Sequence, residues 1–464
     1  MQDITSQAQT SQTGQSFGSF RYRTYVLLTL TLLYILNFVD RILISVIGRP
    51  IIDEFDLSNF QFGILTGIGF ALFYTALGIP LARLSEHYSR VRIIAICVIL
   101  WSAATILCGF TIGFLTLLLA RVAVGIGEAG CTPPANSLIG DYYKPEARPG
   151  ALGVYALGIV LGSVIAQLAG GSVLNFFTWR EAFVYVGAPG ILLGVLVLLT
   201  VKEPPRGFSD PPNTIRTMTP GLREALAEVA QKRTFWLVAL GTSMAAFAGY
   251  GLISFKSLYI QYTFGISPGD AAIKYMAPFS LAGAFGTTLA GFITQHFAKK
   301  SKMANIWVPA IAFMIAAPLL VLGFNAKTLP LMFTIFMVAG LAQYVFIGAS
   351  FNITQSIVSL RVRATAIAIL LFIMNLIGYG GGPPFVGFVA DHFTGQHIAA
   401  LNLTDVLATN CSLSDASLSA ALLDTCREAK AAGMKLGLIV GSLFFLLAGI
   451  LFCLASRTYI KDLE

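Results

Sequence analysis

Continuous apolar runs of about 20 residues recur along the whole chain, separated by short polar segments. A run of this length crosses the hydrocarbon core of a bilayer as one α-helix. These runs lack the strict apolar–polar alternation that marks the strands of a membrane barrel. The pattern therefore predicts an all-α integral membrane protein with twelve transmembrane helices, near residues 24–48, 60–83, 91–110, 114–138, 149–171, 180–201, 234–261, 272–295, 304–324, 329–355, 362–390 and 434–456.

A polar, proline-containing segment divides the twelve runs into two groups of six. It predicts a linker at 202–233, between six-helix bundles at 24–201 and 234–457. Tails remain at 1–23 and 458–464, and the first is a low-complexity segment rich in Ser, Gln and Thr that we expect to be disordered. The first apolar run is longer than the core of a secretory signal and follows this tail, so we interpret it as a membrane span.

The charged residues are few and unevenly distributed. Apolar residues make up 56% of the chain and charged residues 11%, with a mean hydropathy of +0.77, whereas a soluble protein has about 25% charged residues. Twenty lysines and arginines fall on the side of the linker against seven on the other side, and loops rich in these residues face the cytoplasm. We therefore predict a multi-pass protein of the cell (inner) membrane with cytoplasmic N- and C-termini. Because the net charge of +8 lies in these loops, the expected neighbours of the predicted monomer are membrane lipids rather than nucleic acid.

Four ionisable residues interrupt two of the apolar runs, Asp40 and Arg41 in the first and Arg121 and Glu128 in the fourth. A charge at the bilayer centre costs about 2.5–3.5 kcal/mol even on insertion scales, so such residues are expected to have partners and a function. Arg121 and Glu128 lie two helical turns apart, about 10 Å, on one face of their helix. Asp40 and Arg41 project about 100° apart, so each needs a partner on another helix.

Two loops at corresponding positions of the two halves resemble each other, residues 82–92 after the second run and residues 291–300 after the eighth. Both resemble the loop signature of the major facilitator superfamily, a glycine, three residues, an acid and then a basic cluster. Ala82 replaces the glycine in the first copy, and Gln295 replaces the acid in the second. Their paired positions indicate a six-plus-six duplication. The resemblance implies the major facilitator fold of two six-helix bundles.

Three further segments resemble the spinster branch of that superfamily: NFVDR at 37–41, RVAVGIGEAGCTPPANSLIGDYY at 121–143 and WREAF at 179–183. The branch includes lysosomal lysophospholipid exporters and the sphingosine-1-phosphate exporter of animals. The resemblance implies a transporter that works by alternating access and is not an enzyme, and the short tails are typical of a bacterial homologue. It also implies an inner gate of acid–base contacts, for which the candidates are Glu86, Arg90, Arg92, Asp141 and Arg148.

The first and fourth helices line the cavity in the superfamily that this chain resembles. Counting helical rise from their outer ends puts Asp40 about 15 Å deep and Glu128 about 18 Å deep. We therefore expect Asp40, Arg41 and Glu128 to meet near the midplane, with Arg121 one or two turns farther out. Two interpretations stay open: a fixed ion-pair network that joins the helices, or a proton switch in which a moving arginine changes the proton affinity of a carboxylate.

The predicted function is a proton-coupled secondary active transporter of an amphipathic, lysolipid-like substrate. Asp40 and Glu128 are the candidate proton carriers, and Arg41 and Arg121 either modulate them or bind an anionic headgroup. The proton is the coupling ion, and no cofactor or metal is expected, because the sequence has no Cys/His cluster of metal-site spacing and no Walker loop. The alternatives are a multidrug or small-metabolite proton antiporter, or a non-transporting membrane sensor or channel.

The charges at membrane depth lie in the first half, and a second half with mostly uncharged spans suits an amphipathic substrate. The candidate cavity residues are Tyr34, Asn37, Phe38, Phe70, Tyr74, Gln343, Asn352 and Asn375, although aromatic residues in membrane helices also serve packing. Lys256, near the outer end of the seventh run, is expected to snorkel to the membrane surface. Cys411 and Cys426 share the long outer loop and are the candidate pair for a disulfide in an oxidising compartment.

Overall fold

A computed structural model of the protein describes residues 16–210, 222–359, 361–401, 403 and 419–463. Within these residues the regular structure is helical, and twelve helices are long and apolar enough to cross a membrane. We number them α1 (Phe20–Val46), α2 (Asn59–His87), α3 (Arg90–Cys108), α4 (Phe114–Tyr142), α5 (Arg148–Phe176), α6 (Trp179–Thr200), α7 (Arg233–Phe264), α8 (Pro268–Ala298), α9 (Ala304–Phe324), α10 (Leu329–Ile357), α11 (Arg363–Ala400) and α12 (Ala420–Leu463). The predicted all-α membrane fold is confirmed.

Several helices start or end at places that the apolar pattern did not indicate. Ser19 accepts a hydrogen bond from the backbone N–H of Tyr22, which caps α1 inside the segment predicted to be a tail. The linker contains a helix, Leu222–Gln231. The last helix continues to Leu463 and so includes almost all of the predicted tail at 458–464. Apolar runs locate the buried part of a helix, and polar turns at either end extend it without changing the hydropathy pattern.

Five of the membrane helices are interrupted. In α10 the break lies at Tyr344 and Val345, between the segments Leu329–Gln343 and Phe346–Ile357. Gly67 separates two segments of α2. Helix α4 is broken after Glu128, shortly before Pro133, because a proline has no N–H to donate within a helix. In α8 and α11 the interruptions are π-helical, at Ala271–Met276 and Met374–Tyr379. Such π segments are often found at functional sites. The break in α4 leaves Glu128 as the last residue of its first segment.

The two halves, α1–α6 and α7–α12, approach each other closely at one end of the molecule. We call the end with residues 202–210 the linker face and the other end the opposite face. Near the opposite face, a Cβ on Gly63 of α2 would lie 2.5 Å from the carbonyl oxygen of Pro383 of α11. Gly171 of α5 and Gly269 of α8 are in similar backbone contact. Toward the linker face, Gly78 of α2 has no neighbour within 4 Å of a Cβ position.

Candidate functional site

The four charges of α1 and α4 form two crossed ion pairs inside the first half. Nη2 of Arg41 lies 2.8 Å from Oε2 of Glu128, and Nη1 of Arg121 lies 3.7 Å from Oδ1 of Asp40. Between 0% and 7% of each residue is exposed. Each carboxylate therefore has one arginine beside it in a place with almost no solvent contact.

The pairing differs in part from the sequence-based expectation. Arg41 meets Glu128 as the depth count predicted, but Asp40 pairs with Arg121. The reason is the angle of about 100° between neighbouring helical residues, which points Asp40 and Arg41 in different directions from α1. The second oxygen of Asp40 accepts a hydrogen bond from the hydroxyl of Thr105 on α3. Sequence reasoning missed Thr105, because a threonine in an apolar run gives no signal of its own.

Hydrogen bonding in this charged set is incomplete among the described residues. All three guanidinium nitrogens of Arg121 are buried without a hydrogen-bond partner, although the ion pair with Asp40 is present. Oε1 of Glu128 and Oδ1 of Asp40 also have none. A buried polar group without a hydrogen bond costs about 1–3 kcal/mol, and more when it is charged. The described side chains alone therefore leave part of the hydrogen-bonding capacity of this charged set unused.

Aromatic rings from both halves surround the guanidinium of Arg41. Its central carbon lies 4.7 Å from the ring centroid of Tyr74, 4.9 Å from Phe70 and 5.0 Å from Phe38, all in the first half. Tyr379, in the π segment of α11, lies 5.6 Å away. The faces of aromatic rings attract cations at these distances. Arg41 is therefore the point at which the charged set of the first half contacts the second half.

The remaining cavity candidates divide by half. In the first half, Tyr34 stacks on Tyr155 with ring centroids 4.4 Å apart, and Asn37 accepts a 3.5 Å hydrogen bond from Arg41. In the second half, Gln343 is buried, Asn352 donates to Asn305 of α9, and Asn375 is part of the π segment of α11. No described contact joins these three to the charged set, so their assignment to a cavity remains a prediction.

Lys256 does not snorkel, and that expectation is wrong. Only 1% of the residue is exposed. Its Nζ lies 3.4 Å from the ring centroid of Phe279 on α8 and 4.8 Å from that of Phe336 on α10. The described residues offer this nitrogen no hydrogen bond. Depth along α7 suggested a route to the surface, but α8 and α10 pack over the side chain and close it.

Arg90 is the centre of a buried cluster at the linker face. Its guanidinium pairs with Asp141 at the end of α4 and, at 2.7 Å, with Oε1 of Glu203. Asp141 also accepts a 2.8 Å hydrogen bond from the backbone of Gly207. These contacts attach the segment after α6 to the ends of α3 and α4.

The other predicted gate residues at this face are arranged differently. Nη2 of Arg148 lies 2.6 Å from Oδ1 of Asp210, again in the segment after α6. Glu86 and Arg92 are exposed and make no ion pair with a described residue. The ion pairs among the gate candidates thus stay within the first half and its linker. Their role as a gate remains a prediction.

At the opposite face, Asp391 of α11 binds the N-terminus of α2 across the two halves. Its carboxylate accepts hydrogen bonds from the backbone N–H of Asn59 at 3.0 Å, the side-chain amide of Asn59 at 2.7 Å and the backbone N–H of Phe60 at 2.8 Å. The first N–H groups of a helix lack intrahelical partners and carry partial positive charge. Sequence reasoning missed this contact, because Asp391 directly follows the eleventh apolar run and two of its three hydrogen bonds come from backbone groups.

Two further charged contacts lie at this face. Arg49 is 3.6 Å from Asp53 in the short helix after α1, and its guanidinium lies 5.5 Å from the ring centroid of Tyr262 on α7. Glu54 accepts 2.6 Å hydrogen bonds from Arg180 and from the indole of Trp179. The hydrogen bond from Arg180 holds the pKa of Glu54 below its usual value.

The candidate disulfide between Cys411 and Cys426 is not described, because Cys411 lies outside the described residues.

Comparison with known proteins identifies the family. The sequence profile of the Major Facilitator Superfamily matches residues 30–383. An MFS-type efflux pump of Mycolicibacterium smegmatis is 30% identical over 365 residues, which are 79% of this chain and 84% of that protein. The sphingosine-1-phosphate transporter of Mus musculus is 27% identical over 382 residues, 77% of this chain and 68% of that protein.

A solved structure of high similarity matches nearly the whole chain. It is the crystal structure of a bacterial homologue of the human lysosomal transporter Spinster, in an inward-facing and unoccupied conformation. The TM-score is 0.89 and the sequence identity 41%, and the alignment covers 96% of this chain and 99% of that one.

Proposed function

This chain belongs to the Major Facilitator Superfamily, in its spinster branch, and on that premise we propose that it is a proton-coupled secondary active transporter of an amphipathic, lysolipid-like substrate. The observation that carries the proposal is the pair of buried carboxylates, Asp40 and Glu128, each beside its own arginine. This multi-pass membrane protein works by alternating access, with the linker face toward the cytoplasm.

Asp40 and Glu128 are the proton carriers. Removal from water favours the neutral form of a carboxylate, and a neighbouring arginine favours the charged form. Both influences act on each of the two carboxylates, so a small change in the distance to the arginine changes proton affinity strongly. The arginines keep their charge throughout. A change of access that also moves α1 against α4 then takes up or releases a proton.

Arg41 is the headgroup ligand. It contacts rings from both halves, and its partner Glu128 is a residue that protonation would neutralise. Once Glu128 is neutral, an anionic headgroup replaces it as the partner of Arg41, with the rings beside it. Arg121 is fully buried and faces Asp40, so its role is to tune Asp40 rather than to meet substrate. The relative that transports sphingosine-1-phosphate supports a substrate with one chain and an anionic head.

The closed opposite face supports access from the linker face in this conformation. The halves are in backbone contact between α2 and α11 and between α5 and α8, and Asp391 adds three hydrogen bonds across the same interface. The similar solved structure is inward-facing. Opening the opposite face requires that Asp391 release the N-terminus of α2.

A second candidate is a multidrug or small-metabolite proton antiporter. The relative in Mycolicibacterium smegmatis, an MFS-type efflux pump, favours it. The same carboxylates would then couple to a substrate without an anionic head, and Arg41 would not contact the cargo.

The test is transport by purified protein in liposomes, with a panel of lysophospholipids, a cationic drug and a sugar, each with and without an imposed pH gradient. We expect gradient-dependent movement of lysophospholipid. Drug movement without lysophospholipid movement would instead support the antiporter. Equal transport rates with and without the pH gradient would contradict proton coupling.

The matched variants are Asp40→Asn and Glu128→Gln, with Glu146→Gln as control because Glu146 is an exposed carboxylate in the loop before α5. The first two should lose gradient-driven transport while the protein still elutes as a single folded species. The control should behave like the unchanged protein. An unchanged pH dependence in both core variants would remove Asp40 and Glu128 from the mechanism.

A further inference from the structure

A groove lies between α8, α9 and α10 of the second half, and its lining is exposed on the outside of the molecule. Its volume is about 570 Å³. The lining is apolar over almost its whole length, including Leu289, Ile293, Trp307, Ile311, Ile315 and Leu341. The exceptions are Lys300 and Ser301, which lie together at the end nearest the linker face.

The length of the groove matches the depth of one leaflet. From Ala304 to Ile315, α9 advances about 17 Å, and half of a bilayer's hydrocarbon core is about 15 Å thick. No described part of the chain covers the lining, since 43% of Trp307, 52% of Ile311 and 51% of Ile315 are exposed. Because these helices span a membrane, the hydrocarbon chains of lipids meet this surface.

The polar end of the groove is basic. Lys299, Lys300 and Lys302 are exposed, and none makes an ion pair with a residue that the structure describes. Helix α9 begins at Ala304, beside these lysines, and its N-terminus adds partial positive charge. A phosphate at this end would meet at least one lysine directly, at the level where headgroups lie. Charge and shape together point to an anionic lipid.

We propose that this groove is a binding site for an anionic phospholipid of the leaflet at the linker face. One acyl chain lies along α9, and the phosphate lies beside Lys300. The site is separate from the charged set of the first half. A Cβ on Gly286 of α8 would collide with the carbonyl oxygen of Leu341 of α10, so these helices leave no passage inward at that point. The bound lipid joins α9 to the α8–α10 pair from outside.

Two measurements on purified protein test the site, native mass spectrometry and thermal unfolding in detergent, each with added phosphatidylglycerol or phosphatidylcholine. We expect phosphatidylglycerol to bind in a one-to-one complex and to raise the unfolding temperature by several degrees more than phosphatidylcholine. Lys300→Ala should weaken this binding about fivefold, as expected for one lysine beside an anionic lipid. Ala312→Trp, which fills the groove, should abolish it.

Lys327→Ala is the matched control, because Lys327 is an exposed lysine beyond the other end of α9. It should bind phosphatidylglycerol like the unchanged protein. Equal binding of the two lipids, or equal loss in the Lys300 and Lys327 variants, would overturn the proposal. Should Ala312→Trp fail to fold, the comparison of Lys300→Ala with Lys327→Ala decides the question alone.

Discussion

The two halves share an architecture of six membrane helices but treat buried charge in opposite ways. The first half buries two arginines and two carboxylates as crossed pairs between α1 and α4. In the second half, the amine of the buried Lys256 packs against the rings of Phe279 and Phe336. One arrangement is electrically balanced and incompletely hydrogen-bonded, whereas the other has no described counter-ion.

This difference indicates that the two halves have different roles. In a buried carboxylate beside an arginine, burial favours the neutral form and the arginine favours the charged form, so movement of the arginine can change the proton affinity. The amine of Lys256 has aromatic rings beside it and no described anion. The second half instead contributes contacts to the first, through Tyr379 beside Arg41 and Asp391 at the N-terminus of α2.

The largest expected effect comes from breaking one ion pair of the first half. Arg121→Met leaves Asp40 buried without its partner and should lower the free energy of unfolding in detergent by about 3–5 kcal/mol at neutral pH. The double variant Asp40→Asn/Arg121→Met should recover most of this loss, because no buried charge is left unpaired. Simple addition of the two single-variant costs would show that the pair is not coupled.

The contact between the halves at the opposite face should be next in size. Asp391→Ala removes three hydrogen bonds to a carboxylate and should shift the balance toward an open opposite face by about 1.5–3 kcal/mol. Spin labels on α2 and α11 near that face would report the change as a longer distance distribution. Asp270→Ala is the control, since Asp270 lies at the same face but pairs with Lys274 of its own helix. Identical distance distributions in both variants would show that Asp391 does not hold the opposite face closed.

Replacing Lys256, which has no described counter-ion, should change stability in the opposite direction to replacing Arg121. Lys256→Met preserves the length of the side chain and removes a buried charge, so it should raise the free energy of unfolding by about 1–2 kcal/mol. Chemical unfolding of Lys256→Met and Arg121→Met, measured in the same detergent, compares the two changes in stability directly. A loss of stability as large as that of Arg121→Met would mean that Lys256 has a strong partner after all.

The smallest expected effect concerns the ring that the second half places beside Arg41. Tyr379→Leu should lower the free energy of unfolding by about 0.5–2 kcal/mol, the range for a cation near an aromatic face. Tyr379→Phe keeps the ring and should match the unchanged protein in the same measurement. If both variants lose the same amount, the hydroxyl rather than the ring matters at this contact.

Much of the candidate site followed from reading the chain alone. Charges in an apolar run are costly wherever the helix lies, so Asp40, Arg41, Arg121 and Glu128 stand out without knowledge of the fold. The depth count predicted the contact of Arg41 with Glu128 but not that of Asp40 with Arg121, because the rotation of α4 about its own axis decides which side chains face α1. Depth along one helix likewise could not place Lys256, since the helices that cover it lie far away in sequence.

The sequence by itself determined the twelve spans and the position of the four charges within two of them. These follow from the length of apolar runs and the rise of a helix, which are local properties. Only the tertiary structure decided that Asp40 faces Arg121, that Tyr379 reaches Arg41 and that Asp391 caps α2. Each of these depends on the approach of separate helices, and two of them join the halves. Such contacts leave no periodic trace in the chain, because a single side chain or a backbone N–H is enough to make them.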